Sequence, residues 1–150
     1  MRLLPRLATF WGRQKTKYLS RLHLPRGYKL QVFHRGDEDP DPHDHPWDFW
    51  TFPLVSYYEE VWSEDYVTAR LTPRINFVRR GRWHYRPAEY RHRVLGRLPR
   101  PQPGVPQRIL TIIRTSPERR QWGFWVPDGH ARSGRRWVAW RQYLGVGAQG

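Results

Sequence analysis

A chain of 150 residues with 27 Lys and Arg against 13 Asp and Glu has a formal charge of +14 and no cysteine. That length supports one domain around one core, and the missing thiols exclude disulfides and thiolate metal ligands. No run of 18 apolar residues exists to span a membrane as a helix.

Only Lys15, Lys17 and Lys29 are lysines; the other bases are arginines scattered over the whole chain. A basic surface can hold phosphates without regard to sequence, but no RNP-type or helix-turn-helix signature accompanies it. The opening Met1-Arg2-Leu3-Leu4-Pro5-Arg6 lacks an apolar stretch of signal-peptide length, and a cytoplasmic protein is expected.

Along residues 1–22, Leu3, Leu7, Phe10, Trp11, Tyr18 and Leu22 recur near a 3.6-residue period, which predicts an amphipathic helix lying over the body of the protein. Tyr28 to His34 reads as a strand, with Leu30, Val32 and His34 on one face and Lys29, Gln31 and Phe33 on the other. His34 is expected to face inward with Leu30 and Val32, as a hydrogen-bonded core residue. Residues 36–42 form an acidic turn. Six of the 13 acids fall between Asp37 and Asp48, so the local field is negative within a basic chain.

Further strands are predicted over 49–62, 66–71, 74–78, 83–86, 90–95, 108–115, 121–126 and 136–140. Four prolines within 97–106 forbid ladder pairing and make that stretch an exposed loop. Residues 145–150 read as a tail. Many short strands at close intervals, with no helix after residue 22, argue for an all-β sandwich or barrel.

Two stretches carry the chemistry. In Pro42-His43-Asp44-His45-Pro46-Trp47-Asp48-Phe49, the histidines at i and i+2 share one face of an extended segment. Gly81-Arg82-Trp83-His84-Tyr85-Arg86-Pro87-Ala88-Glu89-Tyr90-Arg91-His92 supplies a third. Together they resemble the two motifs of the cupin superfamily, G-x5-H-x-H-x(3,4)-E-x6-G and G-x5-P-x-G-x2-H-x3-N. The second fits at Gly81, Pro87 and His92, and departs at Glu89 and Gly96. The first fits at His43 and His45, with Gly36 one residue out of register and Phe49 and Trp50 at the acidic position. With Trp122-Gly123-Phe124 and Trp137-Val138-Ala139-Trp140-Arg141, the likeness extends to a small, mostly uncharacterised single-cupin family and covers most of residues 28–143.

The resemblance implies a cupin-type jelly-roll β-barrel, here a single cupin domain over 1–150. It implies His43, His45 and His92 as ligands of one divalent transition metal ion: Fe, Mn, Ni, Cu or Zn, among which imidazole donors do not choose. Three histidines leave coordination positions open, the pattern of catalytic sites. Asp48 could complete the ligand set or accept an N–H from a ligand imidazole; Glu89 could act as a base near the metal. Each has the alternative of a simple turn or strand-end residue. Trp47, Phe49, Trp83 and Tyr85 could wall a pocket or be ordinary core of the barrel, and Arg114 could hold a substrate carboxylate or phosphate or face solvent.

The function implied is a metal-dependent enzyme of oxygenase, isomerase or lyase type acting on a small molecule. The alternatives are a cupin that binds metal or ligand without turnover, and a basic nucleic-acid- or membrane-associated protein using the barrel as scaffold. Expected partners are a small-molecule substrate or ligand and, for a homodimer, a second copy of the chain. Imidazole titrates near ~6.5, so metal affinity is expected to fall steeply from about pH 7.5 to 5.5, with more than one proton taken up per ion lost.

Overall fold

The computed structural model describes residues 6–11, 17–100 and 102–146. Eleven strands are defined among them: β1 (Arg6–Trp11), β2 (Lys17–His23), β3 (Tyr28–Phe33), β4 (Phe49–Pro53), β5 (Tyr57–Glu64), β6 (Leu71–Val78), β7 (His84–Arg86), β8 (Arg91–Gly96), β9 (Ile109–Thr115), β10 (Gly123–Pro127) and β11 (Arg135–Ala139). A short helix, α1 (Trp140–Leu144), follows. The class is the all-β one expected. No described helix is long and apolar enough to cross a membrane.

The strands form a six-stranded sheet in the order β1-β2-β3-β9-β4-β7, a three-stranded sheet β6-β5-β8, and a ribbon β10-β11. Every pairing is antiparallel. Backbone bridges from His43 to His92 and to Phe124 tie β8 to β10, so the segment 42–45 stitches the smaller sheets together.

The predicted N-terminal helix is instead the hairpin β1–β2. Residues 1–5 and 12–16 of that prediction lie outside the described residues. β2 pairs with β3 from Leu19↔Phe33 to His23↔Lys29, and Leu19 is buried. A helix would have had only a thin apolar stripe to bury, whereas the strand completes the ladder of β3 as well. Tyr18 adds a hydrogen bond to Asp37 and an edge-on contact with the Phe33 ring.

The parity of β3 is opposite to the expectation. Gln31 is buried and pairs across to Thr111, also buried, while Phe33 packs on the cluster of Tyr57, Val78, Val94 and Ile109. Lys29, Gln31 and Phe33 therefore face inward. His34 is bonded to Ser20 Oγ at 2.9 Å instead of sitting in the core.

The long strand expected over 49–62 breaks at Pro53, and the one expected at 66–71 is a turn. There Asp65 Oδ1 accepts the N–H groups of Val67 and Thr68, and Ala69 adopts a left-handed φ of 57°. Pro73 is accommodated in β6 because that strand is an edge.

Candidate metal centre

Pro42 to His45 runs extended between two strands. Its N–H groups at His43, Asp44 and His45 donate to the carbonyls of His92, Gly123 and Ala88, at 2.9, 3.0 and 2.9 Å. Residues of even and odd number then face opposite ways. On one side lies Asp44, which is 1% exposed. Its carboxylate accepts Gly123 N–H at 2.8 Å, the indole N–H groups of Trp125 and Trp137 at 3.2 and 3.1 Å, and Arg120 at 3.0 Å. Gly123 has no room for a side chain: a Cβ there would stand 2.2 Å from Val138 O. Asp44 thus fastens the back of the segment to β10 and β11.

On the other side, His43 and His45 meet His92, which β8 presents on the inner face, paired with Val61. The ring centroids lie 5.1 Å (His43–His45), 5.0 Å (His43–His92) and 5.0 Å (His45–His92) apart. One ligating nitrogen from each ring falls within 4.8 Å of the others.

Nε2 of His92 and Nε2 of His45 face each other at 3.3 Å. Two nitrogens sharing one tetrahedral ion at about 2.1 Å would stand about 3.4 Å apart, so this pair already has the spacing of two ligands. Nδ1 of His45 is buried and meets no hydrogen-bond partner among the described residues.

The tautomer of His92 is set by Glu59, which is 0% exposed. Glu59 Oε2 lies 2.7 Å from His92 Nδ1, while Oε1 accepts from Asn76, Arg86 and Tyr90 at 2.8, 2.9 and 2.6 Å. Burial pushes this carboxyl up, but the hydrogen bond and charge of His92, the charge of Arg86 and the hydrogen bond from Tyr90 outweigh it and hold the pKa at about 2. An ionised carboxylate only accepts, so His92 Nδ1 carries a proton and Nε2 is the nitrogen turned toward the cluster.

Burial also pushes His43 down to about 4, against the opposing pull of Asp37, whose Oδ2 lies 3.8 Å away. Burial, with the neighbouring imidazoles, holds His45 well below the ordinary range. Neutral imidazole is the form that binds metals. The residues present therefore fit a transition-metal ion in donor type, in the protonation of His43 and His45, and in the spacing of the His45–His92 pair.

Trp47 stacks on His45 at 5.3 Å and Phe49 meets it edge-on at 4.6 Å; Trp122 and Phe124 flank His43 at 6.2 and 5.9 Å. Of the four aromatics that could wall a pocket, Trp47 and Phe49 lie against the cluster. Trp83 and Tyr85 stand about half exposed on the outside, and exposed Arg114 lies over the Tyr28 ring.

Asp48 and Glu89 are brought together by Arg119, and the compact ligand cluster among the described residues does not include them. Arg119 Nη2 lies 2.8 Å from Asp48 and 2.7 Å from Glu89, and Asp48 also accepts Ala88 N–H at 2.8 Å. The Arg119 hydrogen bonds are the main reason both carboxyls lie below their ordinary values. Glu89 is 54% exposed.

Glu59 was missed by the sequence reading, although Tyr57-x-Glu59-x-Val61 alternates as a half-buried strand does and puts that acid on the core face.

No protein-family model matches the chain, and no curated protein matches it. Among solved structures, Fe(II) HppE is similar with a TM-score of 0.51 at 11% identity, over 75% of this chain and 56% of that one, so the chain spans little more than half of it. A cupin 2 conserved barrel domain protein from Rhodopseudomonas palustris gives a TM-score of 0.48 at 10% identity, over 83% and 79% of the two chains. The likeness to HppE shows a shared fold, here the antiparallel all-β one described above. Hydroxypropylphosphonic acid epoxidase from S. wedmorenis follows, with a TM-score of 0.47, 12% identity and 76% and 58% coverage. At such identities the likeness concerns the fold. In this fold, the three histidines lie on the inner side of β8 and of the segment that bridges it to β10.

Proposed function

We propose that the protein binds one divalent transition-metal ion through His43, His45 and His92 and is a metal-dependent enzyme acting on a small molecule, of oxygenase, isomerase or lyase type. The convergence of three imidazole nitrogens within 4.8 Å carries this reading. When bound, the ion would supply Lewis acidity toward a small molecule at the positions three histidines leave free.

The protein's own part is positioning and protonation. Glu59 holds the proton at His92 Nδ1 and so keeps Nε2 free to ligate. Trp47, Phe49, Trp122 and Phe124 limit water around the cluster. Acid–base work by Asp48 and Glu89 is left out of this reading, because both carboxylates are ion-paired to Arg119 and stand outside the histidine cluster.

The test is calorimetry of chelator-treated protein, purified without a histidine tag, with Fe(II), Mn(II), Ni(II) and Zn(II). One ion per chain is expected for the parent. His92→Ala should abolish binding, and Glu59→Gln should weaken it about 10–100-fold by removing the carboxylate that orients His92. No stoichiometric ion at pH 7.5, or undiminished binding by His92→Ala, would overturn the assignment. Metal-dependent turnover or O2 consumption over a substrate panel then separates an enzyme from a binding protein.

A further inference from the structure

The inner face of the six-stranded sheet is not uniformly apolar. Register places Arg21 of β2 opposite Gln31 of β3, and Lys29 of β3 opposite Ile113 of β9. Ile113 in turn pairs with Thr51, and Thr115 with Phe49 of β4. Gln31, Ile113, Thr51 and Phe49 are all buried, so Arg21 and Lys29 project from the face that bears the core.

That face reaches the metal centre. Lys29 Nζ lies 4.9 Å over the Trp47 ring, and Trp47 stacks on His45. The charge of Arg21 is close enough to bear on both Lys29 and His45.

Among the described residues, neither base is paired with a buried acid. Arg21 Nε donates to the amide oxygen of Gln31 at 2.5 Å, with its guanidinium 5.4 Å over the Phe10 ring. Lys29 donates to Thr115 Oγ1 at 2.9 Å, and the acid acting on it, Glu118, is exposed. Burial depresses both groups, Lys29 to about 8. Two partly buried cations with neutral partners, beside a site that would hold a third, are costly unless an anion joins them.

We infer that Arg21 and Lys29 form the anion-holding side of the site, so that its small molecule carries a compact oxyanion group, a carboxylate or a phosphoryl-type group. This names the substrate class of the metal centre and rests on that reading for the word substrate. The anion site itself stands without it. Arg21 and Lys29 would grip the oxyanion, the Trp47 ring would lie along the body of the molecule, and its other end would meet the histidines. Lysine acts as a point charge and arginine as a planar fork, so both carboxylate and phosphoryl oxygens are within their chemistry.

The experiment is a titration of the full chain, metal-free and Mn(II)-loaded, with inorganic phosphate, methylphosphonate, succinate and the neutral match succinamide. Binding is followed by calorimetry and by chemical-shift changes on the metal-free form. At least one anion should bind and succinamide should not; the anion that binds tighter distinguishes the carboxylate from the phosphoryl source. Lys29→Met and Arg21→Met should each weaken anion binding at least tenfold while leaving the Mn(II) stoichiometry unchanged. Lys29→Arg and the exposed-site control Arg80→Met should stay within about threefold of the parent, which separates a local site from the loss of one charge in +14. Should Mn(II) fail to bind, the metal reading falls, and the metal-free titration still decides the anion site. Equal binding of succinamide, an undiminished affinity in both methionine variants, or no anion bound by either form would overturn the inference.

Discussion

Burial outweighs neighbouring charge at His43. Its environment contains Asp37, Asp44 and Glu59, which favour the imidazolium, yet desolvation wins and lowers the pKa to about 4. At His45 the neighbouring cations act in the same direction as burial. A base with a lowered pKa takes up its proton only at lower pH, so proton competition with a bound ion starts below the ~6.5 of a free imidazole. Between pH 7.5 and 5.5, His43 and His45 should both remain neutral. The affinity for Zn(II) or Mn(II) should then fall with no more than about one proton taken up per ion released, measured by calorimetry in buffers of different ionisation enthalpy. The multi-proton loss expected from unperturbed histidines is replaced by this shallower dependence, and two or more protons per ion would overturn it. The His-x-His face and the Gly81, Pro87, His92 spacing were legible because they are local patterns: Gly81 takes a left-handed φ of 80° at the turn before β7. Glu59 lies 33 positions from His92, and its pairing depends on a cross-strand register that no local pattern encodes.

At the scale of elements, turns and strands were readable wherever proline, glycine or alternation marked them, and failed where two periods competed. The first 22 residues carry apolar spacing near 3.6, but β2 is decided by partners outside that window: β3 offers an open edge, and Tyr18 finds Asp37. Short helices gain little from propensity alone, so the edge wins. This hairpin is a working part of the barrel, since β2 supplies buried Leu19 and the inward Arg21. Deleting residues 1–23 should cost at least about 2 kcal/mol from the lost Leu19 burial alone, and should leave β3 as an unpaired edge open to aggregation. Urea unfolding and light scattering check this; a truncated chain that is monodisperse and as stable as the parent would show that the hairpin is an appendage. The 3₁₀ turn at Pro25–Gly27 and the helix α1 were not foreseen, being too short to show a period.

For the whole molecule, the metal ligands and the architecture are one arrangement. The smaller sheets are joined through His43, whose backbone bridges β8 and β10 while its side chain faces His45 and His92. Asp44 locks the reverse side of the same segment to β10 and β11. An ion held by the three rings would therefore bond β8 to the segment that closes the barrel, and would bind the folded chain in preference to the unfolded one. A ligand of the native state at 100 times its Kd adds about 2.7 kcal/mol, which for a chain of this length raises Tm by about 5–10 °C. Saturating Zn(II) or Ni(II) should produce that rise in the parent. His92→Ala should lose it, because without the His92 donor an ion on His43 and His45 no longer bonds that segment to β8. Differential scanning calorimetry at pH 7.5 reads both. A rise of the same size in His92→Ala would mean that metal binds elsewhere on the surface, and that the convergence of three imidazoles inside the barrel serves packing instead of coordination.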